Sequence, residues 1–258
     1  MRIPVLLYHA LFEGDSNREK YAIRGEEFER HVRYLSENGF RALLVDEFCK
    51  PARPVHENGK AVLITFDDGN LSDYSIAFPI LNEYGLPATF FVTVSRIGTE
   101  NFTDWPKLKE MISNGASVQS HGLTHSFLSD ICRDDLMLEL NESKAILGEK
   151  LNSPVSFLSL PGGFCSKIVL ELARELGYKG VCTSAPGLNV LNGGADFPVL
   201  KRFVITRKTS FEDFKGIVSG DRKKVSVYRM RHQVKRGLQK VLGAKRYHAL
   251  WKRFLSEI

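Results

Sequence analysis

The sequence has little of several features that assign many chains to a class at once. No segment stays apolar for the roughly 18 residues that a membrane-spanning helix needs. The amino-terminal apolar run is also shorter than the core of a signal peptide, so we expect a cytoplasmic protein. Four cysteines stand singly, without CxxC spacing, and we expect small buried apolar side chains rather than a disulfide framework: Cys49, Cys132, Cys165 and Cys182.

Over most of the chain, neither positive nor negative charge is in large excess. The 258 residues carry a net charge of +6, and the excess of Lys and Arg is concentrated in residues 222–253. A nucleic-acid binder would show a broader basic surface, so we expect no nucleic-acid partner. The composition, 43% hydrophobic and 26% charged, is ordinary for a globular protein.

Short β-rich runs alternate with amphipathic segments from Ile3 to about Val218, a pattern that predicts strand-helix-strand units around a parallel sheet. Helices are predicted in GEEFERHVRYLSENGF, TDWPKLKEMISNGA and SKIVLELARELGY. The predicted strands are IPVLLYH, ALLV, AVLITF, ATFFVT, ASVQS, VSFLSL, GVCTS and VLKRFVI. Without a visible linker or repeat, the sequence favours one α/β domain over residues 1–220: a distorted (β/α) barrel of about seven or eight strands.

Polar residues follow several predicted strands, where (β/α) barrels carry their chemistry. Asp67 and Asp68 follow AVLITF, and SHGLTH places His121 and His125 four residues apart, on one face if the segment turns helically. Two imidazoles and one carboxylate are a common ligand set for a divalent transition metal. An Asp-Gly turn is the plain alternative for the acidic pair. In the metal hypothesis one aspartate is a ligand and the other a base.

These residues resemble the signatures of the polysaccharide deacetylases with a NodB homology domain, carbohydrate esterase family 4. TFDDG resembles the first signature, and HGLTH the second, with Gly122 in place of Ser or Thr. SLPGG is similar to the third at Pro161 and Gly163. PVLLYH resembles the opening of the branch that deacetylates exopolysaccharides such as poly-N-acetylglucosamine.

The resemblance implies a metal-dependent hydrolase that removes acetyl groups from an N-acetylated saccharide. It implies that Asp67 is the general base and His9 the general acid. It also implies one divalent ion, zinc by default, although cobalt, nickel or iron fit the same ligands. The implied ligands are Asp68, His121 and His125, and the implied substrate and oxyanion loop is Pro161, Gly162 and Gly163.

The sequence departs from the family pattern at important positions. Ser159 stands where the third signature has the arginine that tethers the base, so something else must orient Asp67 or the activity is weak. The D-x-x-x-W and L-x-H segments are not recognisable after Leu160. Two alternatives therefore stay open: another carbon-nitrogen hydrolase, such as a deformylase or an amidase, and a catalytically weak saccharide-binding or assembly protein.

Residues 221–258 form a basic extension with apolar residues at helical spacing: Val234, Leu238, Val241, Leu250, Trp251 and Phe254. One hypothesis is peripheral contact with the inner face of an anionic membrane, which would make a lipid-linked saccharide an attractive substrate. The other is a helical hairpin, broken near Gly243, that packs its apolar stripe on the barrel.

Overall fold

A curled parallel sheet is the centre of the fold. The computed structural model describes residues 1–14, 20–48, 59–190 and 196–242. Within them the strands of the main sheet are β2 Val5–Tyr8, β5 Arg41–Leu43, β6 Ala61–Phe66, β7 Thr89–Val92, β8 Ser117–Ser120, β9 Phe157–Ser159, β10 Gly180–Cys182, β12 Val199–Leu200 and β13 Phe203–Val204. Their order in the sheet is β12-β10-β9-β8-β7-β6-β2-β13, and β5 also pairs with β6. Two small sheets pair β1 Arg2–Ile3 with β11 Asn189–Val190 and β3 Leu11–Phe12 with β4 Ile23–Arg24.

Helices connect the strands and cover the outside of the sheet. They are α1 Gly25–Glu37, α2 Val45–Phe48, α3 Phe78–Glu83, α4 Trp105–Ser113, α5 Arg133–Leu151, α6 Lys167–Glu175, α7 Phe211–Val218 and α8 Arg222–Leu242. A π-helical turn, Asp73–Ala77, precedes α3. None of the helices in the described part of the chain combines the length and apolarity needed to cross a membrane. The distorted (β/α) barrel expected from the sequence is confirmed.

One short segment connects the two edges of the curled sheet. The strands β12 and β13 stand at opposite ends of the sheet order, yet only Lys201 and Arg202 separate them in the chain. β12 pairs with β10, and β13 pairs with β2. The single strand predicted over VLKRFVI is therefore wrong in detail. The chain leaves one edge of the sheet and joins the other, which places Arg202 at the seam.

Alternation of side chains along the strands gives the barrel an inner and an outer core. On β6, Val62, Ile64 and Phe66 pack in the large cluster with the helices. Ala61 and Leu63 point the other way, into a cluster with Phe91, Phe157 and Leu200 from strands around the sheet. The inward side of β6 therefore continues through Thr65 to Asp67.

Three helices predicted from periodicity are confirmed as α1, α4 and α6. Asp104 caps α4, because its Oδ1 accepts a hydrogen bond from the Lys107 N–H at 3.0 Å. The cysteines fit their expected burial only in part, since Cys182 is buried, Cys165 is half-buried and Cys132 is exposed. Cys49 lies outside the described residues.

Candidate active site

A cavity of about 190 Å³ opens at the carboxyl ends of the strands. All but one of the site residues predicted from the sequence line it: His9, Asp67, Asp68, His121, His125, Gly162 and Gly163. Pro161 is the exception: it is buried and does not line the cavity. Leu7, Leu160 and Val204 add apolar wall, and Tyr21, Phe127 and Phe164 add aromatic wall. The topology therefore brings the predicted site residues to one pocket from four segments of the chain, those that follow β2, β6, β8 and β9.

The two adjacent aspartates face different surroundings. Asp67 continues the inward side of β6 and is 3% exposed, and its N–H donates to the Tyr8 carbonyl at 3.0 Å. Asp68 takes a left-handed backbone with φ 82°, which is rare for a residue other than glycine. This turn directs the Asp68 carboxylate toward the histidine pair instead of back along the strand.

Asp68, His121 and His125 form a compact cluster of ligand-type atoms, all within 4.8 Å of one another. The Asp68 Oδ1 lies 2.9 Å from the His125 Nε2 and 3.5 Å from the His121 Nε2. The imidazole rings are 5.0 Å apart at an angle of 62°. One carboxylate oxygen and two imidazole nitrogens converging at this spacing fit a divalent transition metal.

The hydrogen bonding of His121 also fits a ligand. Its Nδ1 lies 3.0 Å from the Ser159 carbonyl oxygen, to which it donates. The Nε2 lone pair is then free to face Asp68 and His125, which is how ligating histidines are usually oriented. Burial lowers the pKa of His121 to about 4, so the ring is neutral at neutral pH. Neutral imidazole is the form that binds metal.

The spacing of the two histidines had suggested a helical turn, but the structure has no helix there. Residues 121–128 form an irregular loop after β8, and His125 has a left-handed backbone with φ 66°. Loop geometry, not helical periodicity, brings the second imidazole beside the first.

The Asp67 carboxylate is clamped by Arg202. Arg202 Nη1 donates to Asp67 Oδ1 and Nη2 to Asp67 Oδ2, both at 2.7 Å. The Ser159 hydroxyl donates to Asp67 Oδ2 at 2.9 Å and accepts from Arg202 Nη2 at 2.7 Å. Bidentate guanidinium-carboxylate pairs of this kind fix both distance and plane. Arg202, at the seam, therefore holds the Asp67 carboxylate in this chain, where Ser159 stands in place of the arginine of the third signature.

Burial and charge act in opposite directions on this pair. Burial raises the pKa of Asp67, but the charges of Arg202 and His121 and the hydrogen bonds from Arg202 outweigh it, so the pKa lies below its ordinary value. Arg202 is fully buried, and Asp67 keeps the Arg202 pKa above its ordinary value despite that burial. Both groups are therefore charged at neutral pH.

His9 lies after β2 and lines the same cavity. Its ring centroid is 5.1 Å from that of Tyr21, and its buried Nδ1 has no hydrogen-bond partner among the described residues. Burial lowers the pKa of His9, and the charges of Asp68 and Asp67 offset this only in part. His9 thus lines the cavity with an imidazole whose Nδ1 is buried and unpartnered among the described residues.

The glycines at the third signature allow close packing of the loop. Gly162 and Gly163 have φ values of 69° and 73°. A Cβ on Gly162 would lie 2.4 Å from a Phe127 ring carbon, and one on Gly163 only 1.7 Å from Ser184 Oγ. The Gly163 N–H donates to the Leu160 carbonyl at 2.7 Å, so this N–H is committed to the loop.

The family model for polysaccharide deacetylases matches residues 55–181, the part of the chain that supplies Asp67, Asp68, both histidines and the glycine loop. The chain belongs to the polysaccharide deacetylase family. Within this family the chain is similar to the Bacillus subtilis protein provisionally named as polysaccharide deacetylase YxkH. The two are 31% identical over 190 residues, which cover 72% of this chain and 66% of YxkH.

Two further relatives of this deacetylase-family chain are informative. The poly-beta-1,6-N-acetyl-D-glucosamine N-deacetylase of Staphylococcus aureus strain MSSA476 is 25% identical over 65% of this chain and 63% of its own length. The chain thus spans about two thirds of the length of these curated relatives. The structure of the Streptococcus pyogenes deacetylase PplD in complex with acetate superposes with a TM-score of 0.76 and 25% identity, and covers 84% of this chain and 98% of PplD.

Proposed function

We propose that this protein is a metal-dependent hydrolase that removes N-acetyl groups from an N-acetylated sugar in a polysaccharide, an oligosaccharide or a lipid-linked saccharide. The observation that carries the proposal is the division of labour between the adjacent aspartates. Asp67 is held by Arg202, whereas Asp68 joins His121 and His125. Two carboxylates in separate environments are suited to separate roles. The named activity of the Staphylococcus aureus relative supports the substrate class.

In this proposal Asp68, His121 and His125 hold one divalent ion, with zinc as the default and cobalt, nickel or iron as alternatives. The chemistry that such an ion supplies is Lewis acidity, which makes water a stronger nucleophile near neutral pH. Burial raises the pKa of Asp68, but the hydrogen bond from His125 and the charge of His121 outweigh it. The carboxylate is thus ionised and ready to act as a ligand.

The chain's own groups would carry the proton transfers. Asp67 takes a proton from the attacking water, since its carboxylate is ionised and fixed in position by Arg202. His9 is the candidate acid for the departing amine; because burial lowers its pKa, the neutral imidazole must take up a proton before it can give one to the amine. The Gly162 N–H is the candidate donor to the oxyanion, because the neighbouring Gly163 N–H already donates to Leu160.

The Arg202 clamp weakens the case for a catalytically weak saccharide-binding or assembly protein. That hypothesis arose from Ser159 in place of the base-tethering arginine and from the D-x-x-x-W and L-x-H segments that are not recognisable after Leu160. Arg202 supplies two donors to Asp67 from the segment between β12 and β13. The base and all three candidate ligands are also present. Hydrolysis of a different amide, such as a formamide, uses the same groups and is separated only by substrate.

The proposal is tested by elemental analysis of the purified protein together with amine release from N-acetylglucosamine oligomers and from a lipid-linked N-acetyl sugar. We expect stoichiometric metal and amine release, with both lost in His125→Ala because a ligand is removed. His232→Ala, on α8 and outside the cavity, is the matched histidine control. N-formyl versions of the same substrates test the alternative acyl group.

Either of two results would contradict the proposal. A folded parent protein without metal that releases no amine from any of these substrates would exclude the hydrolase. Amine release undiminished in His125→Ala would exclude the assigned ligand set.

We also propose that the basic extension makes peripheral contact with an anionic membrane at its cytoplasmic face. The first turns of α8 support attachment to the barrel: Val225 is buried, and Tyr228 contacts Phe203 with ring centroids 5.9 Å apart. Farther along, Val227, Met230 and Val234 are 38%, 59% and 61% exposed at helical spacing. Arg222–Leu242 contains Lys and Arg but no Asp or Glu. An exposed apolar stripe on a cationic helix suits an anionic lipid surface.

Both hypotheses for the extension therefore apply to different parts of it. Docking on the barrel describes the first turns of α8, and the membrane hypothesis concerns the exposed stripe. The boundary between a domain at 1–220 and an extension at 221–258 stays a proposal. The predicted break near Gly243 lies outside the described residues.

Membrane contact is tested by sedimenting the full chain with phosphatidylglycerol-containing vesicles. We expect binding that weakens with salt, and a several-fold loss in Met230→Ser/Val234→Ser because apolar area is removed. Leu138→Ser removes a similarly exposed apolar side chain, 53% accessible, from α5 and should bind like the parent. Equal binding by all three proteins, or none by the parent, would exclude the membrane role of α8.

A further inference from the structure

The loop between the two histidines needs an external support. Gly122 has φ 82° and His125 has φ 66°, and such left-handed conformations cost free energy at residues other than glycine. Strained conformations persist only where surrounding contacts determine them. The separation of the two imidazoles therefore depends on whatever holds the residues between them, Leu123 and Thr124.

Glu139 on α5 supplies that support. Its Oε2 accepts hydrogen bonds from the Leu123 N–H at 2.8 Å and the Thr124 N–H at 3.0 Å. Its Oε1 accepts from the Thr124 hydroxyl. The residue is 6% exposed. Among the residues that the structure describes, all the hydrogen bonds of this buried carboxylate thus go to the two residues that separate Gly122 from His125.

Within the described part of the chain, no cation is paired with this carboxylate. Among the ion pairs of the described residues, Lys, Arg and His nitrogens pair with other acids and not with Glu139. A buried carboxylate without a counterion is costly unless hydrogen bonds satisfy it. The donors of the histidine loop perform that task here, so the loop and Glu139 stabilise each other.

Gly122, which replaces the Ser or Thr of the second signature, lies next to the Glu139 carboxylate. A Cβ built on Gly122 would lie 3.1 Å from Glu139 Oε2, closer than ordinary van der Waals contact. The Ser or Thr that the second signature has at this position would therefore press on Glu139. The glycine and the glutamate fit each other, and the loop is held from α5.

We propose that Glu139 is a positioning residue of the metal site, and that its carboxylate sets the separation of His121 and His125 by fixing Leu123 and Thr124, two of the three residues between them. The inference rests on the proposed metal site. It concerns geometry, and it predicts that the reach of the side chain matters more than its charge.

Two conservative substitutions separate reach from charge. Glu139→Gln keeps the length and places a carbonyl oxygen, with two lone pairs, against both N–H groups. Glu139→Asp keeps the charge but is one methylene shorter, so its carboxylate cannot span to both N–H groups from α5. Glu149→Gln and Glu149→Asp, at an exposed position on the same helix, are the matched controls.

The measurement is the dissociation constant for Zn²⁺, by competition with a chromophoric chelator, together with thermal unfolding of the metal-free proteins. We expect Glu139→Asp to weaken Zn²⁺ binding by roughly 10- to 100-fold, the effect typical of groups that orient ligands. Glu139→Gln should lose less than roughly tenfold. Both Glu149 variants should match the parent.

The outcomes are distinguishable. A parent that binds no Zn²⁺ overturns the proposed metal site itself. A parent that binds, with Glu139→Asp binding equally well, overturns the role of Glu139, even if the unfolding temperature falls. Weak binding by Glu139→Gln with normal binding by Glu139→Asp overturns it too, because charge would then matter instead of reach.

Discussion

Asp67→Asn is expected to abolish amine release while the metal ion stays bound. The amide has nearly the shape of the carboxylate but cannot accept a proton from water, so general-base assistance is lost. Such assistance contributes roughly 10²- to 10⁴-fold to rate. The proposed ligands Asp68, His121 and His125 are unchanged. Turnover and metal content should therefore separate in this variant, whereas both fall together in His125→Ala.

The measurement is kcat for amine release with parallel elemental analysis. Asp67→Asn leaves the buried Arg202 guanidinium without its counterion, which costs free energy, so circular dichroism must show that the variant is folded. A folded variant with more than about one tenth of the parental kcat would contradict the role of Asp67 as base. Loss of metal along with turnover would indicate that Asp67 supports the ligand site as well.

Replacing Arg202 is expected to damage both stability and catalysis. Arg202→Leu leaves the Asp67 carboxylate buried with the Ser159 hydroxyl as its remaining partner in the clamp. Breaking a buried ion pair by removing one partner typically costs about 3–5 kcal/mol. Arg202→Lys keeps the charge without the planar fork, so we expect a smaller loss of stability but a lower kcat from a misoriented base.

The pH dependence should identify Arg202 as a positioning residue. Burial raises the Asp67 pKa and Arg202 lowers it, so removing Arg202 moves the pKa upward. Asp67 then stays protonated to higher pH, and the acid limb of the kcat/KM profile shifts to higher pH. In the parent, the stabilisation from Asp67 is present above its unfolded pKa, about 3.9, and is lost as pH falls through the lower folded pKa.

A double-mutant cycle provides the control for Arg202. Asp67→Asn/Arg202→Leu removes both charges, so its free energy of unfolding should lie closer to the parent than the sum of the single losses. Denaturant unfolding of the four proteins measures this coupling. Additive losses, or a kcat/KM profile for Arg202→Lys superimposable on the parent's, would show that the pair does not act as a unit.

Much of the barrel was predictable because alternation and length are strong signals for buried strands. Every predicted run overlaps a strand of the main sheet, and AVLITF coincides with β6. VLKRFVI misled because its seven residues look like one strand, although a change of partner between β10 and β2 splits it. Pairing partners are not encoded in local periodicity. The two-residue strands β3, β4 and β11 carry too little pattern to be predicted.

The site was predictable where its residues follow one another in the chain. The adjacent aspartates and the two histidines four residues apart are visible as motifs in the sequence. The helical turn expected to bring the histidines together was wrong, because a loop does so. Arg202 was missed because it lies 135 positions after Asp67. A signal existed: alternation puts Leu200 in the inner core and Phe203 in the outer one, so Arg202 had to point inward. A buried arginine requires an acid.

The seam arginine has a consequence for how such sites change during evolution. Arg202 Nη2 lies 2.7 Å from the Ser159 hydroxyl, so the guanidinium fills the space that a longer side chain at 159 would need. An arginine at both positions would crowd two cations onto one carboxylate. Positions 159 and 202 are thus alternative places for the one arginine that binds Asp67. We therefore expect that moving the arginine from one position to the other requires a concerted replacement or an intermediate with a weakened base.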